Sequence, residues 1–178
     1  MSAYGVIRMR ERLTAEDFRA LLNYDPNTGI LTWKVDRRKI KAGDIAGSIF
    51  NHHSGKKYIY VRVMYRLYYA HRIAWAIHYG KLPEGILDHH DGDSTNNRIL
   101  NLRIATSRQN QYNKKISKNN TSGYKGVSFD KARNLWEARI MLPSGKQKFI
   151  GRFDTPELAH ESYLKASSEI HGEFARAA

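Results

Sequence analysis

The sequence predicts an α+β chain in three consecutive parts, each resting on small sheets rather than on one large core. Three observations lead there. Between Lys57 and Tyr79 the apolar residues change from alternation to helical spacing, as strands followed by a helix require. Between Ile86 and Asn110 a short apolar run, a polar Gly-containing loop, a second apolar run and a helix start follow one another. Beyond Gly123, three strand-like runs separated by turn residues precede a Thr-Pro-Glu helix start, the pattern of a three-stranded antiparallel sheet with one helix across it. The expected parts are 1–64, a helix and a small β-rich region; 65–117, the strand–loop–strand–helix core; and 118–178, the sheet and helix.

Taken in order, residues 1–12 read as a frayed basic start. Thr14-Ala15-Glu16-Asp17 resembles a capping box, so a helix is expected over 15–22 with Phe18, Leu21 and Leu22 inward. Tyr24 to Gly29 is turn chemistry and Ile30 to Trp33 a strand. Arg37 to Lys41 is a basic loop. Lys57 to Tyr69 supplies two strands, and His71 to Tyr79 a short helix that Gly80 ends. His71, at its start, reads as structural, with a phosphate contact as the rival role. Ile86 to His89 and Leu102 to Ala105 are strands around the loop 91–97, and Thr106 or Ser107 caps a helix carrying Gln109 and Asn110. The polar, basic run 114–122 marks a boundary. After it, strands are expected at 124–129, 135–142 and 146–153, and a helix from Pro156 that Gly172 stops.

Composition narrows the partners. Thirty Lys and Arg against 17 Asp and Glu give a net charge of +13, which attracts polyanions and says little of fold. Residues 101–152 alone hold twelve lysines and arginines against two acidic residues. No apolar run approaches the ~20 residues of a membrane span, and the start lacks the apolar stretch of a secretory signal, so a cytoplasmic setting is expected. With no Cys in the chain, any metal must sit on His, Asp, Glu or Asn, a donor set suited to Mg²⁺ or Mn²⁺.

Within that basic chain, Glu84, Asp88, Asp91 and Asp93 crowd into ten positions. Neighbouring carboxylates repel unless a cation or a hydrogen-bond network uses them. Phosphodiester hydrolysis needs a base to activate water, a cation to neutralise the leaving oxygen and a clamp on the phosphate. Asp88 and His89 end a strand and point to opposite faces, so a ligand and a base can flank one phosphate. Asn110, on the following helix, can add an amide oxygen to the same cation.

The strings D-H-H-D-G-D, N-N-R-I-L-N-L-R and T-S-R-Q-N, with H-R-I-A-W-A-I-H-Y-G upstream, resemble the HNH homing endonucleases of phage and intron type. The resemblance implies a ββα-metal (His-Me finger) nuclease core, one divalent cation, Mg²⁺ or Mn²⁺, and double-stranded DNA as substrate. It implies Asp88 as first metal ligand, His89 as general base, Asn101 as the brace of loop and strand, and Asn110 as the last metal ligand. The position after the first His is commonly apolar in the family and here is His90. A second register, with His89 on the metal and His90 as base, therefore stays open.

Farther on, S-G-Y-K-G-V, W-E-A-R-I and F-I-G-R-F-D-T-P-E-L-A resemble the ethylene-response-factor type of DNA-binding domain. In that family the outer sheet face enters the major groove. If Trp136, Ala138 and Ile140 pack on the helix, Arg139, Met141, Gln147 and Phe149 face out, with Lys146 and Lys148 beside them. Lys125 matches a DNA-contacting arginine of that family and Phe149 a tryptophan that packs on the backbone. Ser128, Asp130 and Gln147 stand where other family arginines do, so the surface carries over and the target site does not.

The expected activity is metal-dependent DNA endonuclease: one site nicks, and a homodimer would cut both strands. The rival expectations are a sequence-specific DNA-binding regulator on an inactive nuclease fold and a protein that holds DNA by charge alone. Residues 1–64 are expected to add a small core and phosphate contacts.

Overall fold

The computed structural model describes residues 13–53, 55–114, 116–117 and 119–176; the frayed start expected at 1–12 lies outside them. Contacts divide the chain into two compact units, 1–105 and 106–178. This grouping differs from the expected thirds for two reasons. Residues on both sides of position 64 share one core, and the helix before the polar linker is bonded into the second unit.

In the first unit, helix α1 (Ala15–Leu21) starts at a reciprocal capping box: Thr14 Oγ1 accepts from the Asp17 N–H, and the Asp17 carboxylate accepts from the Thr14 N–H at 2.8 Å. Strands β1 (Leu22–Tyr24) and β2 (Leu31–Trp33) pair antiparallel around the Asp25 turn. Strands β3 (Ser48–Asn51), β4 (Lys57–Val63) and β5 (Arg66–Tyr69) form an antiparallel sheet in that order. Helix α2 (Ala70–Tyr79) follows and ends where Gly80 takes a left-handed conformation. Strands β6 (Ile86–His89) and β7 (Leu102–Ala105) make a separate antiparallel pair. Phe18, Leu21, Leu22, Val61, Val63 and Ile73 close one core among α1, β4 and α2. Strands β1 and β3 leave no sequence signal: β1 runs straight out of α1, and every residue of β3 is exposed, so nothing there selects alternation.

In the second unit, helix α3 (Ser107–Tyr112) is capped by Thr106 and Gln109 in a second capping box. Strands β8 (Val127–Asp130), β9 (Leu135–Met141) and β10 (Gln147–Phe153) form an antiparallel sheet in the order β10-β9-β8. Helix α4 (Pro156–His171) has Thr155 as N-cap and proline in its first turn, and packs its Ala159 and Tyr163 on Val127, Ala138 and Ile140 of the sheet. The first strand starts at Val127, three residues later than expected, because Gly126 has φ +75° and a Cβ there would lie 2.2 Å from the Tyr163 ring. Residues 124–126 are thus a close turn under α4, and only glycine fits its last position.

Candidate active site

Strand β6 delivers the two central side chains. Its ladder with β7 sets Asp88 opposite Arg103 and His89 opposite Leu102. Both Asp88 and His89 are 5% exposed. The Arg103 guanidinium donates to Asp88 Oδ2 from Nε at 3.0 Å and from Nη2 at 2.9 Å. With both partners largely buried, the pair fixes the carboxylate against rotation and offsets the cost of burying it.

His89 turns the other way, as strand geometry demands. Its Nε2 lies 3.3 Å from Oδ1 of Asn97, itself 2% exposed. With an amide oxygen facing Nε2, that nitrogen carries the proton and the lone pair falls on Nδ1. The ring meets His71 edge-on at 5.0 Å and Tyr58 at 6.4 Å. Burial pushes the His89 pKa below that of a free imidazole, while Asn97, Asp91 and Asp88 pull it back up. The result is a neutral imidazole near pH 7, the form a general base requires. His71 is driven further down, to about 3, by burial first, then by His89 and Arg72. It is an uncharged packing partner, which fits its structural role and gives a phosphate no counter-charge.

The loop after His89 is tied internally. Asn101 Oδ1 accepts the Asp91 N–H at 3.0 Å, its Nδ2 donates to Asp91 Oδ1 at 3.0 Å and to Asn96 O at 2.8 Å, and its carbonyl accepts the His90 N–H at 2.8 Å. Asp91 also accepts from Asn96 Nδ2, and Asp93 from the Thr95 N–H and hydroxyl. Burial raises the Asp91 pKa, but the hydrogen bonds from Asn96, Asp93 and Asn101 outweigh it and hold the carboxyl below its usual range. Asp91 and Asp93 are therefore loop architecture. Among the described residues no group of three or more His, Cys, Asp or Glu converges to hold a metal. The exposed His90 lies on the turn after β6.

Residues upstream hold this loop in place. The Tyr24 hydroxyl donates to Asn97 O at 2.7 Å, Arg98 Nε to Asn27 O at 2.8 Å, the Ile99 N–H to Pro26 O at 3.1 Å and Ser94 Oγ to Lys57 O at 2.7 Å. Gly29 passes so near that a Cβ would sit 2.6 Å from the backbone of Asn97 and Arg98. Asn110 lies in the second unit, on α3. It is half-buried, and among the described residues its side-chain amide makes no hydrogen bond.

The outer face of the second unit's sheet carries Arg139, Met141, Gln147 and Phe149: Arg139 stands opposite Phe149 and Met141 opposite Gln147 in the ladder. Met141 is 39% exposed and Phe149 44%. Glu137 binds Arg139 at 2.9 Å and Arg152 at 2.7 Å, and both guanidinium groups lie over the Phe149 ring. Two expected members leave this face. Lys148 pairs with Ile140 in the ladder, so alternation puts it on the α4 side. Lys125 spends its ammonium on backbone carbonyls: Tyr112 O at 2.5 Å, Lys114 O at 3.0 Å and Arg176 O at 3.2 Å. Burial, then Arg176, lowers its pKa to about 8. It closes the end of α3 instead of reaching outward. Lys146 is exposed in the turn before β10.

Asn97 and Arg103 escaped the sequence reading as site residues. Asn97 follows Asn96 in the loop, and nothing in the sequence marks which of the two faces His89. Arg103 becomes visible only once the β6–β7 register is known.

A buried carboxylate and an amide-oriented imidazole thus stand side by side at a strand end, followed by an asparagine-braced loop. The family model described as HNH endonuclease matches residues 68–112, which span α2, both site strands and α3. The chain is 35% identical over 121 residues to Protein 3.8 of Escherichia phage T7, covering 65% of this chain and 98% of that protein. It is 36% identical over 97 residues to an uncharacterized HNH endonuclease of Acanthamoeba polyphaga mimivirus, covering 54% of this chain and 49% of that one. A solved structure describing DNA binding and cleavage by the HNH homing endonuclease I-HmuI is similar over 88% of each chain at 18% identity, with a TM-score of 0.39, a loose likeness and no more. The chain belongs to one family with Protein 3.8 of phage T7, which it covers almost entirely, and it carries an HNH endonuclease domain over residues 68–112; it is a nuclease.

Proposed function

We propose that the chain is a divalent-metal-dependent DNA endonuclease of phage or homing type, acting in the cytoplasm of an infected host. One observation carries this: His89, buried, neutral and oriented through Nε2 by Asn97, stands one residue from a fixed carboxylate. His89 takes a proton from water at Nδ1. Asn101 holds the loop that presents it. In the first unit Asp88 would hold the cation; Asn110, on α3 of the second unit, is proposed as a further ligand by the resemblance alone, and each offers the oxygen donor that a hard ion takes. When bound, Mg²⁺ or Mn²⁺ would supply charge neutralisation for the leaving oxygen.

The second unit is proposed to hold double-stranded DNA in the manner of ethylene-response-factor domains. The outward Arg139, Met141, Gln147 and Phe149, with Lys146 beside them, support that assignment. The basic surface makes affinity fall steeply with salt through counterion release. One site per chain implies nicking, and a homodimer would cut both strands.

The test is relaxation of supercoiled plasmid by the full chain with Mg²⁺, with Mn²⁺ and with chelator. Nicking with either metal and none with chelator supports the proposal. Retarded plasmid with no cutting under any condition would leave a DNA-binding regulator instead.

A further inference from the structure

The outer face of the first unit's sheet carries a row of rings that neither the core nor the catalytic step uses. Ladder register places Phe50 opposite Tyr58 and Tyr60 opposite Tyr69, on the side away from the buried Val61 and Val63. The rings touch in sequence: Phe50 to Tyr60 at 5.6 Å, Tyr60 to Tyr69 at 4.4 Å, and Tyr69 to Tyr58 at 5.2 Å. The row does not stop at the sheet. Tyr58 lies 5.9 Å from His71 and 6.4 Å from His89, centroid to centroid. A path of rings therefore runs from an exposed edge strand to the general base.

Two further features say what would lie on it. Phe50 is 46% exposed and its three tyrosine neighbours are half-exposed, an arrangement that cross-strand pairing alone does not require of an edge strand. Along the three strands that carry the row, the charge has a single sign; the carboxylates of Asp88 and Asp91 enter only at its His89 end. From Ser48 to Tyr69 the chain holds Lys56, Lys57, Arg62 and Arg66 and no acidic residue, and all four are exposed. A polyanion is the complementary partner. Aromatic rings add nothing toward the phosphates of a paired duplex, whose bases are stacked on one another, but they stack on bases that are free.

We infer that this face is a stacking platform for unpaired bases, and that the preferred substrate is DNA with an unpaired stretch, as in a bubble, a flap or a single strand. The platform leads such a strand toward His89. The direction of approach rests on the nuclease reading given above, whereas the platform itself does not.

Binding measured in chelator, without cleavage, tests the inference separately from the chemistry. The full chain is titrated against two labelled duplexes of one sequence, one fully paired and one with a short central bubble, and against the matching single strand. The bubble and the single strand should bind about tenfold or more tighter than the paired duplex, as stacking of one or two bases provides. Phe50→Ser, on an exposed edge strand, should erase most of that preference and leave affinity for paired DNA within about twofold. Tyr60→Leu should do the same, with circular dichroism to confirm folding. If it does not fold, wild type and Phe50→Ser decide, together with quenching of 2-aminopurine placed in the bubble. Equal or tighter binding of paired duplex by wild type overturns the inference. So does an equal loss on both DNAs in Phe50→Ser, or an unquenched probe. A bubble preference without metal-dependent cutting would keep the platform and remove only the nuclease mechanism.

Discussion

Replacing Asn97 by alanine removes the amide that faces Nε2 of the proposed base and leaves the base itself in place. The lost contact is a neutral hydrogen bond of 3.3 Å to a buried ring, worth about 1 kcal/mol net. The imidazole can then rotate and exchange tautomers, so the plateau nicking rate should fall about threefold to tenfold. That is well short of the ~10²–10⁴ expected for loss of the base. The pH dependence has a definite sign. Burial lowers the His89 pKa and the Asn97 bond raises it, so deleting Asn97 lowers it further. The acid limb of the rate profile, where His89 becomes protonated, should move to lower pH. Asn97→Asp, which puts a carboxylate beside the ring, should move the same limb to higher pH. The assay is single-turnover nicking of supercoiled plasmid across the acid range at saturating enzyme. An unchanged plateau in Asn97→Ala, or limbs that move the same way in both variants, would refute the assigned orientation of His89.

Other expectations follow from the same geometry. Arg103→Met strands the Asp88 carboxylate in a buried site and should lower unfolding free energy by about 3–5 kcal/mol in urea titrations; a loss below about 1 kcal/mol would show that the pair is not held as described. His71 stays neutral in the folded state down to about pH 3, whereas the unfolded chain protonates it near 6.5. Its contribution is therefore intact above pH 6.5 and is lost progressively as pH falls toward 3, by a few kcal/mol in all. His71→Phe should flatten that part of the melting-temperature profile. Lys125→Met should cost roughly 2–3 kcal/mol of stability through the lost carbonyl bonds and leave the salt slope of DNA binding unchanged. A lysine on phosphate would instead lose about one unit of slope with little change in stability.

The sequence and the structure agree best where local chemistry alone decides. The Thr14 and Thr155 helix starts, the Gly80 and Gly172 stops and the order of strands around the 91–97 loop all rest on short-range signals. Strand β3 was invisible because an edge strand exposed on both faces carries no alternation. The site shows the same division. Asp88, His89 and Asn101 stand out because their spacing along the chain is fixed by a hairpin and its loop. Arg103 does not, because its partnership with Asp88 depends on cross-strand register. Asn96 and Asn97, adjacent in a loop, carry no cue to direction; the structure aims one at Asp91 and the other at His89. Lys125 departs from its motif for a related reason. Its position in the motif suggested an outward side chain, but the Gly126 turn beneath Tyr163 draws it back to the end of α3.

The most direct check is the single-turnover nicking rate of His89→Ala beside that of His90→Ala, both with saturating Mg²⁺ and with DNA retardation measured in parallel. A fall of about 10²-fold or more in His89→Ala, with His90→Ala near wild type and DNA binding retained in both, is the expected result. Full activity in His89→Ala, or a collapse confined to His90→Ala, would contradict the assignment of the buried imidazole as the base.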